Sequence, residues 1–78
     1  MTDLHWQASR DGQYARDGDL IAIISHDRNS LLQSYEYRVK VLRDRGLGLA
    51  VVCDGHARNE PAAKGLAAEF LIETRRGV

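Results

Sequence analysis

Apolar and charged side chains alternate through Tyr35-Glu36-Tyr37-Arg38-Val39-Lys40-Val41, with aromatic and β-branched residues on one parity. Glu36, Arg38 and Lys40 occupy the other. Such period-two alternation marks a strand buried on one face only. A helix over residues 30–45 competes, because Leu31, Leu32, Tyr35, Val39 and Leu42 share a helical stripe. It leaves Tyr37 and Val41 off that stripe, so the strand is the better reading. Residues 20–25 form a second strand, apolar enough to be central in a sheet. Residues 47–53 form a third, with residues 43–46 as its hairpin connection. Residues 4–9 and 13–16 form either a further hairpin around Asp11-Gly12 or a short helix.

The pattern changes period after residue 58. Ala63, Leu66, Ala67, Phe70, Leu71 and Thr74 recur at helical spacing, with Lys64, Glu69 and Glu73 elsewhere. Asn59 is a good N-cap, Glu60 suits the positive end of the helix, and Pro61 suits its first turn. Arg75 and Arg76 complement the C-terminal dipole, and Gly77 stops the helix. Ala63 and Ala67 are small enough to let this helix lie close on a sheet. Turn chemistry punctuates the chain at Asp11-Gly12, Asp17-Gly18, residues 26–30, Asp44-Arg45-Gly46 and Asp54-Gly55. The expected fold is α+β: a three- or four-stranded antiparallel sheet with one C-terminal amphipathic helix packed on one face. That layout leaves the other face open for a partner.

Seventy-eight residues make one domain, 1–78. A chain of this size buries only roughly 60% of its unfolded surface, so its core is marginal and self-association would supplement it. The formal charge is zero, which argues against a strongly basic nucleic-acid binder. The charge is segregated, however. Residues 1–27 hold two Arg against five Asp, whereas residues 28–64 hold seven Lys and Arg against four acidic residues. No apolar run approaches the roughly 18 residues of a membrane span. Met1-Thr2-Asp3-Leu4-His5-Trp6 lacks the basic and then apolar pattern of a secretory leader. One cysteine, Cys53, cannot form an internal disulfide. A cytoplasmic protein that needs no cofactor is the expectation.

Candidate chemistry is sparse. Cys53 and His56 would make a thiol–imidazole pair if the ring reached the sulfur, but no separate Asn or Asp orienter is identifiable. They read more simply as the end of a strand and a polar turn. Adding His26 gives three metal-ligand types at a spacing that matches no four-ligand motif. His26-Asp27 reads as a turn, with Asp27 or Asn29 bonding backbone amides. Gly46 and Gly48 lack the Gly-Lys-Ser/Thr of a phosphate loop. Trp6, Tyr35 and Tyr37 read as core residues, with an exposed tryptophan anchor as the alternative for Trp6.

Three resemblances bear on function. The strand–strand–strand–helix order over about residues 35–73, with Ala63-Lys64-Gly65-Leu66-Ala67-Ala68 in the helix, resembles the C-terminal half of double-stranded-RNA-binding domains. That likeness implies a nucleic-acid-binding module. The family uses two lysines at the helix start to hold phosphates, and Glu60 and Pro61 stand there in this chain. In size and layout the chain also resembles small phage-encoded proteins, including some anti-CRISPR proteins, which inhibit host machinery by occupying a binding surface. Val51-Val52-Cys53-Asp54-Gly55-His56 is similar to the Asp-Gly-His metal loop of magnesium-dependent serine/threonine phosphatases. Ala57 and Arg58 replace the glycines that follow in that family, whose sandwich is far larger.

The leading expectation is therefore a non-catalytic interaction protein of the phage-inhibitor kind, bound to a host protein or nucleoprotein complex. Its docking surface would combine Arg38, Lys40, Arg43 and Arg45, with Glu36 and Arg28 nearby. Homodimerisation through an edge strand suits so small a sheet.

Overall fold

A computed structural model describes residues 4–26 and 36–76. The strands are Gln7–Ser9 (β1), Gly12–Asp17 (β2), Leu20–His26 (β3), Tyr37–Asp44 (β4) and Leu49–Ala57 (β5), followed by the helix Glu60–Arg76 (α1). The strands pair in chain order, each antiparallel to the next, as one five-stranded meander. The fold is thus α+β as expected, with five strands in place of three or four. The extra strands come from the N-terminal segment, which is a hairpin and not a helix.

Alternation decides which residues face α1. Leu20, Ala22 and Ile24 of β3 and Val39 and Val41 of β4 are buried, together with Ala15 of β2. Ala63, Ala67 and Leu71 of α1 are buried with the β3 and β4 residues in one core cluster. Leu66, Phe70, Tyr37, Val52, Cys53, Leu4 and Trp6 pack around its margin. Trp6 is thereby a partly buried core residue, with the Lys64 ammonium 5.9 Å from its ring centre. The competing helix over residues 30–45 is excluded by β4. Tyr35 and residues 27–34 lie outside the described residues, and so does the expected turn there.

The start of α1 follows the sequence reading, whereas Gly77, the expected stop, lies outside the described residues. Asn59 Oδ1 accepts a bond from the Ala62 N–H at 2.9 Å, which satisfies one orphan amide of the first turn. Gln13 donates to Glu60 at that end, and Arg75 reaches Asp17 at 2.5 Å at the other. These two contacts tie α1 along β2.

Two connections differ from the expected boundaries. Gly18 has φ 64°, and Gly18-Asp19 is a two-residue turn joining β2 to β3. The turn expected at Asp54-Gly55 does not form. Both residues continue β5, where Gly55 pairs with Val39. A Cβ on Gly55 would lie 3.0 Å from Phe70 Cζ and 3.2 Å from Leu66 Cδ2, so glycine serves close helix packing here. Within β5 a bulge leaves Val52 as the extra residue between the pairs Val41–Cys53 and Leu42–Val51.

Candidate functional site

The face of the sheet turned away from α1 carries the other parity of every strand. Four cross-strand rows can be read from the register. Ser25 lies beside Arg38, and Arg38 beside His56. Tyr14, Ile23, Lys40 and Asp54 make the next row, and Arg16, Ile21, Leu42 and Val51 the third. Asp44 and Leu49 end the series. The Arg38 end of this open face is therefore charged, and Ile21, Ile23, Leu42, Leu49 and Val51 form an aliphatic half flanked by Arg16 and Asp44. Tyr14, Leu49 and Val51 are exposed there, while Ile21, Ile23 and Leu42 are half-buried.

Among the described residues, two ion pairs cross the face. Arg38 grips Asp54 with both ends of its guanidinium, at 3.2 and 2.9 Å. Arg16 reaches Asp44 at 2.8 Å across the end of β3. The Asp44 carboxylate also accepts the Gly46 N–H at 2.9 Å, fixing the β4–β5 turn. These partners hold both carboxyls below the ordinary value of 3.8, the Gly46 amide most strongly for Asp44 and Arg38 most strongly for Asp54.

A depressed carboxylate pKa contributes stability that is complete above the unfolded value and is lost as pH falls through the folded value. Both pairs should therefore be intact at neutral pH and open only on acidification below the ordinary carboxylate range. In a carbon-detected NMR titration, Arg38→Gln should raise the Asp54 midpoint toward 3.8 and leave Asp44 unchanged. A static Asp54 midpoint would show that Arg38 does not set it. Both pairs are solvent-exposed, so their effect on global stability is small.

The expected docking residues divide. Arg38 and Lys40 do share the open face, and Glu36 is exposed immediately before β4. Arg43 does not join them. By parity it lies on the α1 side of β4, where its Nε is buried without a hydrogen bond and Asp19 stands 3.5 Å away. Arg45 is exposed in the β4–β5 turn, where its N–H donates to Gly48 O at 3.0 Å. Arg28 lies outside the described residues. Alternation, which turns every second residue of β4 to the helix, thus separates Arg43 from Arg38 and Lys40, while Arg45 stands apart in the turn.

The aliphatic half was missed. The unbroken run Leu20–Ile24 was its signal, since a strand apolar on both parities offers an apolar surface to both sides of the sheet. Cys53 and His56 are three apart in β5 and project to opposite faces. The Cys53 sulfur sits 3.4 Å from the Thr74 hydroxyl under α1, whereas His56 is exposed beside Arg38. The thiol–imidazole pair does not assemble. Among the described residues no three His, Cys, Asp or Glu side chains are grouped to hold a metal ion, and no helix is long and apolar enough to cross a membrane. No protein family, curated protein or solved structure matches this chain.

Proposed function

We propose that this chain is a small non-catalytic interaction protein that acts as an inhibitor by occupying a surface on a host protein or nucleoprotein complex. The observation that carries this reading is the open face, where the Arg38–Lys40 corner adjoins the aliphatic group Ile21, Ile23, Leu42 and Val51. Apolar area beside a charged margin is the anatomy of a protein interface, with the apolar part supplying affinity and the charges orientation. The complementary surface is an acidic patch bordering exposed aliphatic side chains.

A nucleic-acid-binding role draws less support. Glu60 is held at the start of α1 by Gln13 and Lys64, which lower its pKa. It stands where the double-stranded-RNA-binding family places phosphate-binding lysines.

The test is capture of the target with tagged protein from host lysate, with and without nuclease. A stoichiometric protein complex that survives nuclease is expected. Arg38→Glu with Lys40→Glu should then weaken binding at least about 100-fold, since reversing two interface charges costs several kcal/mol. The circular dichroism melt should stay close to that of the parent. Undiminished affinity would remove this corner from the interface. Recovery abolished by nuclease would favour the nucleic-acid reading.

A further inference from the structure

The two edges of the sheet are unequal. β1 is three residues long, whereas β5 is nine and has no strand on its outer side among the described residues. Protein edges are usually guarded by lysine, proline, a bulge or extreme shortness. β5 contains neither lysine nor proline, and its one acidic side chain, Asp54, is held by Arg38. Its bulge lies at Val52 and leaves the stretch before it regular. That stretch is unusually apolar for a surface: Leu49 is 57% exposed and Val51 56%, and Leu47 in the turn before it is fully exposed.

We infer that the first half of β5 pairs with the same segment of a second copy, joining two five-stranded sheets into one. Two antiparallel copies of one strand are related by a two-fold axis, so the contact is closed and self-complementary. An axis through Ala50 sets Leu49 opposite Val51 of the second copy, and Val51 opposite its Leu49. Both residues share the open-face parity, so four aliphatic side chains meet in one cluster, with both Leu47 side chains at its rim. Backbone amides and carbonyls of the edge gain partners in the same step.

A charged peptide would also fill an edge, but an aliphatic ladder with its neighbouring charge already paired is best matched by another copy of itself. Glu69 and Glu73 are exposed on α1, beside the Leu66 and Phe70 that lean over β5. They would approach their counterparts in the pair, which predicts tighter association as salt screens them. This inference does not depend on the inhibitor reading, because it concerns the isolated protein.

Sedimentation velocity of the full chain across a dilution series is the first test. A monomer–dimer equilibrium is expected, shifted toward dimer by added salt. Val51→Lys should weaken it at least about tenfold, because a charge buried against Leu49 of the second copy has no partner there. That residue faces solvent in the monomer, so the melt of the dilute variant should be unchanged. Ala50→Cys in a Cys53→Ser background should give an oxidised, covalently linked dimer. Residues opposed across an antiparallel ladder stand about 4.5–5.5 Å apart at Cα, within disulfide reach. A single monomeric species at every concentration would overturn the inference. So would a dimer indifferent to Val51→Lys, or one that never cross-links through position 50.

Discussion

Replacing Gly12 with alanine is expected to cost the domain about 3 kcal/mol, from overpacking that side chains cannot relieve. Gly12 opens β2 and pairs with Ser9 on one side and Ser25 on the other. A Cβ built there would lie 1.9 Å from the carbonyl oxygen of Ile24, 2.9 Å from its carbonyl carbon and 3.0 Å from Ser25 Cα. All three are backbone atoms of the central strand. Ile24 is itself buried and pairs with Val39, so β3 is held by the core. The β1–β2 hairpin must yield instead, and it gives up the His26 N–H bond to Asp11 O.

One effect opposes this loss. Alanine narrows the unfolded ensemble and so stabilises by about 0.4–1 kcal/mol where the native backbone accepts it. That is too small to offset a clash with the main chain. Net stability for a chain this size is roughly 4–12 kcal/mol, so the loss is a large fraction of it. The melting temperature should fall by roughly 12–24 °C. Hydrogen exchange should quicken first in β1 and at the start of β2. Gly65→Ala is the control. It meets nothing within 4 Å on the exposed side of α1 and should stabilise by about 1 kcal/mol through helix propensity. Equal melts for Gly12→Ala and the parent would show that the close approach does not exist in solution.

How much of this was legible in the sequence depends on which residues carried the signal. β4 and α1 were read correctly because each has a clean period backed by local chemistry. Val39 and Val41 alternate with Arg38 and Lys40, and the cap at Asn59 precedes a stripe whose apolar members all join the core or pack against it. β5 was displaced because Asp54-Gly55 has the composition of a turn. Its glycine answers instead to a tertiary requirement, the space under Phe70 and Leu66, which no local window contains. Leu47, assigned to that strand, is in the turn before it.

The candidate surface was half legible for a related reason. Counting charges gathered Arg38, Lys40, Arg43 and Arg45 into one patch, yet parity separates Arg43 from the first two. The aliphatic half depends on register across β3, β4 and β5. Ile21, Leu42 and Val51 become neighbours only after three strands pair, so a residue-by-residue reading could not assemble them.

Placing leucine at Ala67 is expected to destabilise the domain by about 3 kcal/mol, whereas leucine at Ala62 should change little. The two alanines lie in one helix and have similar propensity contexts, so the contrast isolates packing. Ala67 is 0% exposed between α1 and the sheet, whereas Ala62 faces solvent in the first turn. Three added carbons at position 67 must lift α1 from β3 and β4, or push Val39, Val41 and Leu20 from their places. Overpacking of this kind costs about 1–3 kcal/mol, occasionally more, and here the upper end applies. Lifting the helix also withdraws Leu71 and Phe70 from the core cluster. At Ala62 the same change exchanges one good helix former for another at a cost below about 0.5 kcal/mol. Urea titrations of both variants provide the measurement. A midpoint for Ala67→Leu matching that of Ala62→Leu would mean that the small-residue seam is not what sets the helix on the sheet. A lowered midpoint with an unchanged slope would place the loss in the folded state, where the two layers meet.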